Sequence, residues 1–200
     1  MNWDGMQIRR ATTADLDSIA AVEAECFPAE EAATREQFEE RLKHYADHFL
    51  LMFDGEKLVS FIDGFVTDER DLTDEMYERA DLHNEAGAWQ MIFGLNTKPD
   101  YRRTGLAGEL MKRFIEEAGE QGRRGLVLTC KDSLVDYYAG FGVVNEGRTD
   151  KSNHGGVAWN QMRLVFRREV RPKELPRLEP ADDGRHNQRK KRRPEPEGHL

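Results

Sequence analysis

Apolar residues follow two rhythms along the first 166 positions of this chain, one of period two and one near 3.6. A short strand is predicted at Met6–Arg9. The helical rhythm follows, with Leu16, Ile19, Ala20 and the Val22/Glu23 pair at helical spacing. Thr12 or Thr13 can cap that helix, which ends near Cys26-Phe27-Pro28. It returns at Phe38, Leu42 and Tyr45, behind the capping-box pattern Thr34-x-x-Gln37. Phe49–Phe53 and Lys57–Thr67 read as two strands joined at Asp54-Gly55, a strong hairpin signal. A polar stretch from Asp68 to Asn84 holds a short predicted helix, Thr73–Leu82. Trp89 to Leu95 reads as a buried strand that Lys98-Pro99-Asp100 brings to an end. An amphipathic helix then runs from Gly105 to about Gly119, with Leu106, Leu110, Phe114 and Ile115 on one face. The pattern continues with a strand at 126–130, a turn at Lys131-Asp132-Ser133, a short helix at Leu134–Ala139 and extended chain at Val143-Val144. A hairpin tip at Ser152–Gly156 leads into a last strand, Trp159–Phe166. Strands alternating with helices predict an α/β fold, and hairpins at both ends predict a mixed sheet.

After Arg168 no periodicity survives. Five of the seven prolines lie beyond residue 170, so a domain at 1–168 and a disordered, charged, Pro-rich tail at 169–200 are expected. Nine basic and six acidic residues lie from Arg171 onward, which leaves 21 basic against 32 acidic before it. That acidic body disfavours nucleic acid as a partner and suits a cationic amine. The basic run Arg189–Arg193 could touch nucleic acid or a membrane surface, but a solvated tail is the preferred reading, since a charge run alone specifies little. No apolar run is long enough to span a membrane, and the N-terminus lacks a signal-peptide core. Two cysteines, Cys26 and Cys130, are too few for a disulfide framework, so a reduced, cytoplasmic setting is expected. The sequence is silent on oligomeric state; a homodimer is compatible with it.

The chemistry concentrates between Leu95 and Met111. A loop of small residues opening a helix leaves backbone N–H groups unpaired, with the helix dipole behind them. Such a loop can hold a phosphate or pyrophosphate. Here Gly105, Ala107 and Gly108 permit close approach, and Arg102 and Arg103 add positive charge. An ordinary connection whose small residues only serve helix packing would look similar. The stretch is not a P-loop, since no Gly-Lys-Ser/Thr follows, and it is a poor dinucleotide fingerprint because Arg102 holds the first glycine place.

Arg-x-x-Gly-x-Ala after a strand ending Leu-x-Thr-x-Pro resembles the signature of the GNAT superfamily of acyl-CoA-dependent N-acetyltransferases. Cys26-Phe27-Pro28, the run Leu58–Gly64 and the run Leu128–Gly142 fall in the expected order. Together they are similar to the arylalkylamine N-acetyltransferase branch and its bacterial relatives, over roughly residues 6 to 166. The resemblance implies a GNAT-type, mostly antiparallel central sheet flanked by helices on both faces. It implies acetyl-CoA as cosubstrate, held by Leu95, Asn96, Thr97, Arg102, Arg103, Thr104, Gly105, Leu106, Ala107 and Gly108. It implies a small-molecule amine as acceptor, near Phe27 and Pro28, and no metal. Tyr138 matches the family's tyrosine that protonates the departing thiolate, and a phenol stays protonated at neutral pH. Tyr137, next to it, is expected to pack in the core.

Phe27, Phe61, Phe65 and Phe93 could give an aromatic acceptor site, though core packing would explain each. Asp63 interrupts an apolar strand. It either lines the amine pocket or sits at a bulge and reaches solvent. The animal enzymes of the branch carry two histidines where this chain has Met91 and Phe93, so the base is open among water, Asp63, Glu85, His83 and His154. The leading expectation is N-acetylation of a primary amine by direct transfer in a ternary complex. Neither cysteine has a patterned base, which disfavours a covalent intermediate. A non-catalytic acyl-CoA-binding or sensing domain is the alternative, and a nucleic-acid-associated protein acting through its tail is a third.

Overall fold

The computed structural model describes residues 5–152 and 156–167. His154 and the Pro-rich tail with its basic run lie outside the described residues. Strands β1 (Met6–Arg10), β2 (Phe49–Asp54) and β3 (Lys57–Asp63) form an antiparallel meander, and β3 pairs in turn with β6 (Gly94–Thr97). A second set pairs in the order β4 (Val66–Thr67), β5 (Trp89–Ile92), β7 (Gly125–Cys130), β9 (Trp159–Val165), β8 (Val144–Thr149). Among the described strands only β5 and β7 run parallel, so the sheet is mixed and mostly antiparallel.

Period-two patterning explains how both faces are covered. Phe49, Leu51 and Phe61 look toward α1 (Leu16–Cys26) and α2 (Arg35–Tyr45), packing on Ile19, Val22, Phe38, Leu42 and Tyr45. Leu50, Met52 and Ile62 look the other way, toward Leu106, Leu110, Met111 and Phe114 of α4 (Leu106–Glu120). Thr34 caps α2 as its sequence predicts: its Oγ1 accepts from Gln37 N–H at 3.2 Å, while its own N–H donates to Gln37 Oε1 at 2.8 Å. Among the described residues there are also two short α-helices, α3 (Asp74–Glu78) and α5 (Val135–Ala139).

Two expected strands break, and their breaks meet. The 57–67 run divides at Gly64-Phe65, and the 89–95 run divides at Phe93 and extends to Thr97. A Cβ on Gly64 would fall 1.8 Å from the Met91 carbonyl oxygen, so backbone crosses backbone here at a distance only glycine allows. Beyond this point β5 stays with β7, from Trp89 opposite Gly125 to Ile92 opposite Leu128. Past Phe93, the four residues of β6 swing to β3, with Gly94 opposite Asp63 and Thr97 opposite Ser60. β6 and β7 therefore diverge, and a wedge opens between them.

Candidate active site

Above the wedge, Gly105 holds φ +92° and Arg103 φ +60° as the chain turns into α4. The first intrahelical turn closes with Glu109 N–H on the Gly105 carbonyl at 3.1 Å. The amides of Leu106, Ala107 and Gly108 thus precede any helical acceptor, at the positive end of a 15-residue dipole. Packing does not demand a glycine at position 108. A Cβ on Gly108 would make only ordinary contact, 3.7 Å from Phe141 and 4.0 Å from Tyr137 Oη. The loop therefore fits a diphosphate, and the coenzyme suggested by the sequence passes its first test.

A cavity of ≈ 640 Å³ runs from this loop through the wedge. Of the expected coenzyme residues, Leu95, Thr97, Arg102, Arg103, Gly105, Leu106, Ala107 and Gly108 line it. Asn96 and Thr104 do not: Asn96 turns its buried side chain toward α1, and Thr104 Oγ1 donates to the Tyr101 carbonyl. Of the residues expected near the acceptor, Phe27, Asp63 and Phe93 line the cavity, but Pro28 does not. Tyr138 borders the cavity from α5, and burial pushes its phenol above the ordinary value, so it holds its proton. Tyr137 is 40 % exposed and borders the cavity too, which corrects its expected place in the core; α5 is too short to bury both rings. Burial also raises both thiols, that of Cys130 to about 11, so neither is a ready nucleophile at neutral pH.

The floor of the cavity is charged and dry. Asp63 is 1 % exposed and does not reach solvent. Arg41 Nη1 donates to its Oδ2 at 3.1 Å, and Arg41 Nη2 donates to the Tyr77 carbonyl at 3.0 Å. The Arg41 guanidinium carbon lies 5.2 Å from the ring centres of both Phe38 and Phe93. Burial raises Asp63 to about 7; Arg41 opposes the shift and Glu23 adds to it. Glu23 Oε1 accepts from Ala33 N–H at 2.9 Å, and its Oε2 accepts from Asn96 Nδ2. Asp63 Oδ1 and Asn96 Oδ1 are buried without a hydrogen-bond partner.

Glu23, Arg41 and Tyr77 escaped the reading of the sequence as site residues. The signal was present, since Arg41 falls on the apolar face of α2 among Phe38, Leu42 and Tyr45, and Glu23 falls on the buried face of α1 beside Val22. His83 and Glu85 go elsewhere. With His48 they form a cluster outside this cavity, where His48 Nε2 and His83 Nε2 meet Glu85 Oε2 at 2.7 and 3.3 Å. Their donor atoms lie within 4.8 Å of one another, close enough for a cation. Hydrogen bonds already engage them, however. His48 Nδ1 meets Gln90 Oε1 at 2.9 Å, and Val66 N–H donates to His83 Nδ1 at 3.2 Å, which leaves the His83 proton on Nε2, the atom a metal would need.

A split mixed sheet with a helix N-terminus over the split defines a GNAT-type acyltransferase fold. The chain belongs to the acetyltransferase (GNAT) family, whose model matches residues 16–142. It is 28% identical to the serotonin N-acetyltransferase of Mesocricetus auratus over 141 residues, 68% of this chain and 66% of that enzyme, so it spans just under two thirds of that relative. Among solved structures it is similar to the loading GNATL domain of CurA from Lyngbya majuscula, with TM-score 0.70 and 15% identity over 80% of this chain and 97% of that one. It is also similar to the PaiA N-acetyltransferase of Thermoplasma acidophilum in complex with coenzyme A, with TM-score 0.60 and 14% identity over 80% and 99%.

Proposed function

We propose that this protein is an acetyl-CoA-dependent N-acetyltransferase that moves the acetyl group to a small primary amine by direct transfer. One observation carries the reading: a single cavity joins the loop at 102–108 to Tyr138 and to the buried acidic floor. The amides of 106–108 would hold the diphosphate. The edge of β6 that faces β7 has no strand on it among the described residues, so it can pair with the amides of the coenzyme's arm as an added strand would. Tyr138 would donate to the departing sulfur. With its phenol above the usual range and a thiol near 8.5, full transfer is uphill, so the hydrogen bond to the sulfur matters most as the C–S bond breaks.

Likeness to the hamster enzyme supports a place near the arylalkylamine branch, while the apolar Met91 and Phe93 leave the rest of the acceptor open. Residues 1–168 would form the transferase domain and the tail beyond it would take no part. Thiol release from acetyl-CoA in the presence of a primary-amine panel tests the reading. Amine-dependent release is expected. Coenzyme binding without any amine-dependent release would favour the non-catalytic acyl-CoA sensor, for which the two apolar residues speak.

A further inference from the structure

Resting on that reading, we propose that Lys131 is an acceptor built into the chain. The acetyl group of a coenzyme held in the cavity passes to its Nζ, and the modified protein loses a tie between the loop at 27–33 and the end of β7.

Lys131 stands one residue past β7, and its backbone is still extended, at φ −69° and ψ 155°. The alternation of the strand therefore runs on through it. Cys130 Sγ meets Met162 Sδ on one face. Thr129 looks the other way. Its Oγ1 meets Tyr77 Oη at 3.0 Å, and both residues line the cavity. Lys131 shares the face of Thr129. Two extended residues span about 6.5 Å, a distance that the four-carbon stem of a lysine sweeps. Its Nζ can thus swing back to the level of Thr129.

The amine is held at the cavity's edge. Lys131 Nζ donates to Glu31 Oε1 at 2.7 Å and lies 5.7 Å from the Trp159 ring centre. Glu31 and Trp159 both line the cavity, as Tyr138 does. Of the described lysines, Lys131 is the one whose ion-pair partner lines it. Lys43 pairs with Glu39 and Glu40, Lys98 with Glu25 and Lys151 with Asp71, none of which does. The Glu31 side chain is 8% exposed, so salt and water screen the pair little. An amine kept beside a carboxylate has its proton acceptor in place, and one attached to the protein reacts without the entropy cost of encounter.

The step balances. The Lys131 ammonium gives one proton to Glu31. Its nitrogen bonds to the acetyl carbon as the C–S bond breaks. Tyr138 protonates the sulfur, and the nitrogen's second proton restores Tyr138. The products are Nε-acetylated Lys131, a thiol and one proton, which Glu31 returns to solvent. The new amide is neutral, so the ion pair from Glu31 to the end of β7 is lost. Phe27 and Glu31 line the cavity from the 27–33 loop, so the modification loosens one of its walls.

Peptide mass spectrometry on the full chain, incubated with acetyl-CoA and no amine, tests the assignment. Expected is one acetyl group on Lys131, added at least about 10-fold faster than on the exposed Lys43 and Lys112. The rate per molecule should not change when the protein is diluted. Tyr138→Phe should slow the modification and the acetylation of free amines alike. Lys131→Arg, which keeps a cation for Glu31 but offers no acceptor, should release thiol to free amines at the wild-type rate. Lys131 modified no faster than Lys43 and Lys112, a rate per molecule that rises with protein concentration, or a Tyr138→Phe variant slowed on free amines but not on Lys131 overturns the inference. Thiol release to free amines with Lys131 left unmodified also overturns it, and leaves the acetyltransferase reading standing. No thiol release to either acceptor overturns that reading.

Discussion

Two polar clusters sit against the same aromatic layer, and they differ in one respect. Tyr45, Phe65 and Phe93 pack on one another, with Arg41 beneath Phe93 and His83 against Tyr45 and Phe65. In the cluster of His48, His83, Gln90, Glu85 and Arg123, the polar atoms are spent on each other. Gln90 Nε2 donates to the Phe65 and Met91 carbonyls, and Arg123 donates to Glu85 and to the Gly87 carbonyl. In the cluster of Glu23, Arg41, Asp63 and Asn96, Asp63 Oδ1, Asn96 Oδ1 and Arg41 Nε are left over, and Glu23, Arg41 and Asp63 line the cavity. A satisfied network pins loops together; an unsatisfied one waits for a ligand. The first has the more conspicuous chemistry on paper, two histidines and a carboxylate, yet the second holds the better case for catalysis.

If that contrast is right, substitutions in the open cluster change turnover and those in the closed one change only stability. Asp63→Asn should lower kcat/KM for a primary amine by roughly 10²–10⁴, the range for removing a general base. Its pH signature is specific. A carboxylate near 7 is a base only when ionised, so the wild-type rate should climb with pH through about 7, and the variant should lose that limb. Stability runs the opposite way. A folded value above the unfolded one near 3.9 means the folded state binds the extra proton between those values, so Asp63 opposes folding more as pH rises toward 7. An enzyme that gains activity across the interval where this group costs stability shows in a pH–rate profile beside a pH–melting profile.

Tyr138→Phe probes the other end of the cavity and should cost about 10² in kcat, with amine and coenzyme affinities unchanged. A fall in amine affinity would place Tyr138 in the floor and blur the distinction between the clusters. Arg41→Met comes next. It leaves Asp63 without its guanidinium, and breaking a buried pair costs about 3–5 kcal/mol, or on the order of 10 °C in Tm for a chain of this size. Calorimetric melting near pH 7.5 measures it, and the loss should shrink at pH 5, where Asp63 is protonated.

The elements were legible in the sequence because each obeys its own period: the capping box of α2, the Asp54-Gly55 hairpin, the stripe of α4. The two strand breaks were not, since Phe93 continues an apolar run and the contact that forces Gly64 is made by Met91, 27 residues away. Those breaks open the wedge, so the feature that creates the site is the one local patterning cannot carry. The proposed coenzyme loop was legible because its chemistry is contiguous. The buried charged floor was only half so: Asp63 was visible as a charge in an apolar strand, whereas its neighbours arrive from α1, α2 and β6 and converge only in three dimensions.

The smallest expected effect is the sharpest control. Glu85 sits below the usual carboxylate range although burial alone would raise it, because His48 and Arg123 bond it. Its side chain is 65% exposed, so solvent screens the pair and Glu85→Gln should cost no more than about 1 kcal/mol. A depressed carboxylate contributes stability above its unfolded value near 4.3 and loses it as pH falls through the folded value. His83, lowered by burial and then by His48, costs stability in the same direction as pH drops below 6.5, where the unfolded ring protonates first. Below about pH 4.3, where the Glu85 contribution is lost, melting of the wild type should therefore fall more steeply than that of Glu85→Gln, while kcat and the amine KM of the variant match the wild type. A kcat loss above about 3-fold would mean that the closed cluster reaches the reaction through Tyr45 and Phe93, and that full hydrogen bonding is no guide to which buried charges act.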